Sequence, residues 1–266
     1  MKSRHNGGMN LYIVLVFIFL YLPIAVLFIF SFNTSRMNIV WEGFTAKWYG
    51  SFFRNEQLMD ALGNSLLIAV LTTAISTAVG TLGAVGMERY DFPGKKLSDD
   101  LLYIPIVIPE IVLGISLLSF FTLLNMELGI LSITISHCTF CIPFVLVNVR
   151  TRVAGFDHAQ EEAAMDLGAN RLRTFFRITL PELMPGVTAG AVLSFMLSMD
   201  DVVISFFTTG PQCNTLPLKI LSMVKTGVTP EVNALSAVIM LIFILGVSFY
   251  TQFQVQKMRR NAAAAG

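Results

Sequence analysis

The sequence predicts an all-α protein that crosses the membrane six times. Of its 266 residues, 55% are hydrophobic and only 13% are charged, whereas a soluble domain carries about a quarter charged residues. The mean hydropathy is +0.70. The apolar residues are gathered into long runs, and a helix needs about 20 of them to span the bilayer with its backbone hydrogen bonds satisfied internally. Composition and run length therefore exclude an ordinary soluble domain.

Six apolar segments are long enough to span. They are residues 11–32, 61–87, 101–124, 128–149, 185–207 and 232–256. The third segment contains Glu110 and the fifth contains Asp200 and Asp201, whereas the other four contain no Asp, Glu, Lys or Arg. Because Pro105 and Pro109 remove hydrogen bonds, we expect the third helix to be kinked or opened. The first run is too long for the core of a cleaved signal peptide, so we interpret it as a membrane helix.

The basic residues are distributed unevenly between the polar segments. If these segments alternate across the membrane, 13 of the 18 Lys and Arg residues fall on one side and five on the other. The richer side holds residues 1–10, the 88–100 loop, the 150–184 loop and the 257–266 tail. The positive-inside rule then places both termini in the cytoplasm. The poorer side includes residues 33–60, whose tryptophans and tyrosine indicate a helix at the membrane surface.

The cysteine and histidine residues within the apolar segments indicate packing, and we expect neither a metal nor a cofactor in this chain. Three cysteines cannot form a disulfide framework. Cys138 and Cys141 lie inside an apolar run, where such residues act as small packing groups. We interpret His137 as a hydrogen-bonded packing residue, with a metal ligand as the alternative. Cys213 is predicted to be unpaired in an outer loop.

The longest polar interval, residues 150–184, carries a motif of fixed spacing, Glu-Ala-Ala-x3-Gly-x9-Ile-x-Leu-Pro. Its defined positions are Glu162, Ala163, Ala164, Gly168, Ile178, Leu180 and Pro181. The first three residues favour a helix with a small-residue face. Gly168 permits a left-handed turn and Asn170 is a good N-cap for a second helical piece. We expect Pro181 and Pro185 to form an elbow into the fifth spanning helix.

Basic residues alone would also suit a loop that anchors to anionic lipid, but that alternative does not explain the fixed spacing. With this motif, the chain resembles the permease subunits of type I (MetI-like) ABC importers over about residues 60–255. More narrowly, residues 43–49, 194–203 and 216–228 resemble the second permease of spermidine/putrescine importers.

This resemblance implies a multi-pass inner-membrane subunit whose Glu162–Gly168 stretch docks onto a cytosolic ATPase. It further implies two ATPase subunits that carry ATP and Mg, a homologous second permease, a periplasmic binding protein and a polyamine substrate, with no nucleic acid involved. The chain itself lacks a nucleotide loop, since the Gly94-Lys95 pair has Arg89 where the first glycine of G-x4-G-K would stand. We therefore expect a translocation subunit and not an enzyme.

The three acids inside apolar segments are the candidate substrate path. Each carboxylate costs about 2.5–3.5 kcal/mol at the centre of a lipid-exposed helix, so each must face water, another subunit or a cation. A continuous third helix would place Glu110 about 14 Å beyond Leu101. Neighbouring residues of one helix point about 100° apart, so Asp200 and Asp201 should not face the same ligand. Staggered carboxylates suit a linear polycation, and the alternative is that they only join helices.

Three functional interpretations remain open. The leading one is the permease of an ATP-driven polyamine importer. Another small cationic or polar solute, such as thiamine, a phosphonate or iron, is the alternative within the same class. A secondary transporter or channel without an ATPase is disfavoured by the Glu-Ala-Ala loop.

Overall fold

The computed structural model describes residues 7–35, 40–211, 213–227 and 229–264. Within these ranges the regular elements are helices, together with one isolated antiparallel bridge between Asn33 and Phe44. The helices are α1 (Gly7–Phe30), α2 (Lys47–Arg54), α3 (Glu56–Arg89), α4 (Lys95–Val107), α5 (Glu110–Leu123), α6 (Ile130–Val153), α7 (Ala159–Asp166), α8 (Arg171–Thr174), α9 (Leu180–Asp200), α10 (Val203–Thr208), α11 (Leu216–Thr226) and α12 (Pro230–Ala264). Lys2, Arg4 and Arg36 from the charge count, and Val228 from the third resembling stretch, lie outside the described residues.

The prediction of a polytopic helical membrane protein is confirmed. Four helical runs in the described part of the chain are long and apolar enough to cross a bilayer, namely Gly8–Phe30, Glu56–Arg89, Ile130–Val153 and Arg171–Asp200. The α4–α5 pair makes a fifth span if its two bent halves are counted together. The sixth predicted segment, residues 232–256, lies within the single helix α12 (Pro230–Ala264).

The third predicted span is broken and not merely kinked. Its halves α4 and α5 meet at 109°, because Ile108 and Pro109 both adopt extended backbone with ψ of 135° and 133°. Proline disfavours the helical conformation in the residue before it, which accounts for the extended Ile108. The depth estimated for Glu110 assumed one continuous helix from Leu101, and that assumption is wrong.

The fifth predicted span starts earlier and ends earlier than expected. The predicted elbow at Pro181 and Pro185 is wrong, since the helix runs continuously from Arg171 to Asp200. A π-helical segment at Phe175–Thr179 makes this possible, and the Leu180 N–H bonds to the Phe175 carbonyl five residues back. This wider turn lies directly before Pro181, which has no N–H to donate. At the other end α9 stops at Asp200, and the extended Asp201 leads into α10.

The chain divides into two compact units, and the first combines Met1–Met59 with Ile220–Gly266. In this unit α12 packs against α1 and α2. The Trp48 indole is buried and donates to the Asn33 carbonyl at 2.6 Å, while the Tyr49 hydroxyl lies 2.7 Å from Ser31 Oγ. Trp41 is exposed. Trp48 is therefore a packing residue, and the ammonium of Lys47 lies 4.5 Å from the centre of its ring.

The second unit, Asp60–Lys219, is built around α6. Glycines on both neighbouring helices allow them to approach it closely. A Cβ on Gly190 of α9 would lie 3.1 Å from Val145 Cα, and one on Gly80 of α3 would lie 2.8 Å from Val145 Cβ. One turn before Gly190 on α9, a Cβ on Gly186 would lie 2.9 Å from the Asn148 carbonyl oxygen. In lipid the hydrophobic effect does not drive helices together, so the close van der Waals packing that small residues allow stabilises these contacts.

We expect Gly186→Ala to lower the free energy of unfolding of the purified protein by about 1–3 kcal/mol, because the added methyl group would collide with the backbone of α6. Gly63→Ala is the matched control, since a Cβ there meets nothing within 4 Å and alanine favours a helix. Thermal unfolding in detergent measures both. A Gly186→Ala variant as stable as Gly63→Ala would contradict this packing.

Candidate functional site

The motif loop folds as two short helices joined by a tight turn. Gly168 has a φ of +87°, and it caps α7 through hydrogen bonds from its own N–H to the Met165 carbonyl and from the Ala169 N–H to the Ala164 carbonyl, at 2.9 and 3.0 Å. This is the Schellman arrangement, which requires a left-handed residue at the Gly168 position. Asn170 then caps α8, and its side chain accepts from the Arg173 N–H at 2.8 Å. The predicted helix–turn–helix is therefore present.

The remaining motif residues link this loop to the membrane helices. Ile178 and Leu180 are half-buried, and Leu180 packs against the core cluster that contains Leu183 and Val187. Pro181 is exposed in the first turn of α9. Ile178 and Leu180 therefore lie on the side of the loop that packs against the membrane helices, whereas the Glu-Ala-Ala residues lie on the separate helix α7.

The outer side of the loop presents an apolar surface, which we call the loop face. Glu162 and Ala163 are exposed, and Ala164 is half-buried. The large side chains that accompany them in the loop face are Met165, Leu167, Leu172 and Phe176. Leu167 is 90% exposed and Leu172 is 70% exposed. Such a cluster of exposed apolar side chains beside small residues is typical of a protein-binding surface.

Glu161, which precedes the motif, is buried where its neighbour Glu162 is exposed. Its carboxylate accepts hydrogen bonds from the Arg89 guanidinium and the Thr179 hydroxyl, and His158 Nδ1 lies 3.6 Å away. We call Glu161, Arg89 and Thr179 the anchor cluster. Burial acts to raise the pKa of Glu161, but the bonds from Thr179 and Arg89 and the charge of Arg89 outweigh it and hold that pKa below its ordinary value.

A cavity of about 720 Å³ lies beside the anchor cluster, between the end of α3 and the two loop helices. Its lining includes Tyr90, Arg171 and Phe175 together with Arg89 and Glu161. Sequence reasoning did not identify Glu161 or Arg89 as functional residues. They lie 72 residues apart, and no local pattern indicated that they meet.

Asp201 is not available to a ligand in this structure. It is 7% exposed, and its carboxylate accepts the backbone N–H groups of Ile204 and Ser205 at 3.2 and 2.7 Å. His137 Nε2 lies 3.2 Å from the same carboxylate, while His137 Nδ1 lies 2.7 Å from the Ser198 hydroxyl. Asp201 therefore joins α6, α9 and α10 and starts α10 as a cap does.

Asp200 and Glu110 are placed differently, at the ends of two broken helices. Asp200 is the last residue of α9 and Glu110 is the first of α5. Both are exposed, and no ion pair to either occurs among the described residues. All three acids interact electrostatically, and the packing of α5 against α10 holds the two breaks together. The role of these acids as a substrate path stays a prediction, and of the three only Asp201 is enclosed by partners within the described part of the chain.

The structure confirms that His137 and the cysteines of α6 are packing residues. His137 is 1% exposed and its ring is held by Ser198, Asp201 and Ser205. Cys138 and Cys141 are buried and free. Cys213 is also free and lies outside the helices, as expected, and it is buried against Ile68 and Ile133. No group of three or more potential metal ligands occurs among the described residues.

Comparison with known sequences places this chain among transport proteins. Residues 76–260 match the family described as binding-protein-dependent transport system inner membrane component. The chain is 49% identical over 217 residues to the spermidine/putrescine transport system permease protein PotC of Escherichia coli strain K12, covering 82% of each chain. It is 42% identical to the Haemophilus influenzae protein of the same name, covering 85% of this chain and 88% of the relative. The putrescine permease PotI of E. coli K12 is 40% identical, with 86% and 85% covered.

Solved structures with the same fold are subunits of ABC transporters. A bacterial ABC transporter that imports the acidic polysaccharide alginate superposes with a TM-score of 0.71 at 16% identity, covering 96% of this chain and 98% of that one. The MetNI methionine transporter gives a TM-score of 0.55 at 15% identity, covering 74% and 92%. At such identities these likenesses show the fold alone.

The helical architecture, the motif loop and the sequence matches agree on a multi-pass permease subunit of the inner membrane that is not itself an enzyme. The chain belongs to the family of binding-protein-dependent transport system inner membrane components, the permeases of ABC importers.

Proposed function

We propose that this chain is a permease subunit of an ATP-driven importer of polyamines such as spermidine and putrescine. The observation that carries the proposal is the pair of exposed carboxylates, Asp200 and Glu110, at two adjoining helix breaks within the membrane-spanning region. Exposed acids in such a region are functional by default, because an unpartnered charge in lipid is costly. The identity of 40–49% to permeases of spermidine and putrescine systems supports the same substrate.

The chemistry of a linear polyamine fits this arrangement. Its ammonium groups are separated by short methylene spacers, so it needs several carboxylates at intervals with apolar surface between them. Asp200 and Glu110 supply two carboxylates from different helices. Phe195 and Met199, half-buried, and Met196, exposed, precede Asp200 on α9 and provide apolar surface for the spacers.

In this proposal the loop face docks into a groove on a cytosolic ATPase. Glu162, Ala163 and Ala164 form its small-residue part, and Gly168 sets the turn that presents Leu167 and Leu172. The uneven distribution of Lys and Arg supports a cytoplasmic position for the loop and for both termini. ATP and Mg are bound by two ATPase subunits, a homologous second permease completes the pore, and a periplasmic binding protein delivers the substrate.

Asp200→Asn tests the substrate site. We expect spermidine uptake into proteoliposomes to fall about tenfold or more, since the loss of one charge-assisted hydrogen bond costs about 1.5–3 kcal/mol. The ATPase should still co-purify and hydrolyse ATP. Unchanged uptake kinetics at every spermidine concentration would move the substrate site elsewhere.

Asp201→Ala is the matched control for a neighbouring acid with a different role. It leaves the backbone N–H groups of Ile204 and Ser205 without their acceptor and removes one of the partners of His137, so we expect the free energy of unfolding to fall by about 1–3 kcal/mol. Asp200→Asn should leave stability unchanged, because its side chain is exposed. A stable Asp201→Ala protein with selectively lost spermidine binding would assign the substrate contact to Asp201 instead.

Gly168→Val tests the docking surface. A β-branched residue at a φ of +87° is strained by about 1–3 kcal/mol, so the turn should open and the loop face should be lost. We expect the ATPase to stop co-purifying while the membrane helices stay folded. Gly155→Val is the control, because Gly155 is not in the left-handed region and a Cβ there meets only the Arg152 carbonyl at 3.9 Å. Normal co-purification with Gly168→Val would contradict the docking assignment.

A further inference from the structure

Glu161 is a buried carboxylate on a short helix whose other acids are exposed. Only 10% of its side chain is accessible, whereas Glu162 and Asp166 of the same helix are exposed. Burying a carboxylate is costly unless it is paired and fully hydrogen-bonded. The burial of Glu161 is therefore tolerated only because of the ion pair and the hydrogen bonds that it makes in the anchor cluster.

Each partner of Glu161 comes from a different element. Arg89 is the last residue of α3, and Thr179 is the last residue of the π-helical segment that continues into α9. Arg89 Nη2 also lies 3.3 Å from Thr179 Oγ1, which closes the three-way contact. One carboxylate on α7 thus holds the ends of two membrane-spanning helices.

The residue before Arg89 extends this connection. Glu88 pairs with Arg150 of α6, with Arg150 Nε 3.4 Å from Glu88 Oε2, and Arg150 also pairs with Asp99 of α4. The consecutive residues Glu88 and Arg89 therefore tie the end of α3 to α4 and α6 on one side and to α7 on the other. A displacement of α7 would reach α3, α6 and α4 through ion pairs and α9 through the Thr179 hydroxyl.

We propose that Glu161 is a positioning residue for energy coupling, which fixes α7 to the ends of α3 and α9 through Arg89 and Thr179. The inference rests on the proposed docking of the loop face onto an ATPase. It assigns a separate task to the buried residue of α7, beside a cavity that Met165 and Leu172 of the loop face also line. The exposed Glu162 side of the helix binds the ATPase, and the buried Glu161 side transmits the movement to the membrane helices.

The charge state of Glu161 suits a permanent connection. Its pKa lies below the ordinary value of 4.5, so the carboxylate is ionised at neutral pH and the ion pair is formed. A carboxylate with a lowered pKa loses its contribution only as the pH falls through the folded-state value. The connection is therefore present throughout the cytosolic pH range. The other titratable or charged groups that line this cavity are Glu88, Arg89, Tyr90, His158 and Arg171.

The test compares Glu161→Gln and Thr179→Val with the unmodified chain in the complete transporter, reconstituted in proteoliposomes with its ATPase and spermidine-loaded binding protein. ATP hydrolysis and spermidine uptake are measured in the same sample, and ATPase co-purification reports assembly. We expect both variants to assemble but to hydrolyse at least about fivefold more ATP per spermidine imported, the low end of coupling effects between sites.

Asp91→Asn is the matched control, because it breaks the Asp91–Lys95 pair, which lies just beyond α3 and whose carboxylate is 99% exposed. It should leave the ratio unchanged, since exposed ion pairs contribute little. The exchange Arg89→Glu with Glu161→Arg restores opposite charges and should bring the ratio back towards that of the unmodified chain.

An unchanged ratio in assembled Glu161→Gln or Thr179→Val transporters would overturn the inference. So would a Glu161→Gln chain that fails to assemble while Thr179→Val couples normally, because Glu161 would then serve stability alone. The increase in ATPase activity caused by the binding protein is measured as well, because it distinguishes a failure of this inference from a failure of the proposed substrate. If the unmodified chain shows stimulation without spermidine uptake, the substrate assignment fails, and reduced stimulation in both variants still supports the positioning role of Glu161.

Discussion

The absence of hydrogen-bonding partners in lipid is the constraint on which this structure depends. It forces the spanning segments into helices, and it makes every charged group within them either find a partner inside the chain or face a path. The three acids of the apolar segments divide along this line. Asp201 is enclosed by His137 and the first turn of α10, while Asp200 and Glu110 lack an ion pair among the described residues.

The same constraint links the two ends of the fifth span. Where α9 stops, the Asp201 carboxylate accepts hydrogen bonds from backbone N–H groups that the break would leave without an acceptor. Where α9 begins, the π-helical turn lies before Pro181, and Thr179 joins Glu161 and Arg89. A helix that carries the proposed substrate carboxylate at one end thus carries the proposed coupling contact at the other. Between these two ends, α9 packs closely against α6 at Gly186 and Gly190.

Local sequence patterns predicted the elements well where the cause is local. Apolar runs predicted the spanning helices, and Gly168 and Asn170 predicted the turn and the cap of the loop, because each acts within a few residues. The break at Pro109 was underestimated, since a proline pattern indicates lost hydrogen bonds but not the resulting angle. The elbow at Pro181 was wrong because a π-helical turn can accommodate a proline without ending the helix.

Local sequence patterns could not predict which distant residues contact the residues of the candidate site. Asp201 meets His137 from 64 residues away, and Glu161 meets Arg89 from 72 residues away. The sequence places Glu161 and Glu162 side by side on one helix, and only the packing of α7 decides which of them is buried. For the same reason the sequence could separate the directions of Asp200 and Asp201 without showing which one faces the path.

The central claim is that Asp200 faces a polyamine path while Asp201 is enclosed, and thiol labelling in the assembled transporter tests it most directly. Asp200→Cys and Asp201→Cys are each exposed to a water-soluble, positively charged thiol reagent, with the unmodified chain and its buried cysteines as the background. The account predicts rapid labelling at position 200 that spermidine slows, and little labelling at position 201. Labelling at position 201 alone, or labelling at position 200 that spermidine does not affect, would contradict it.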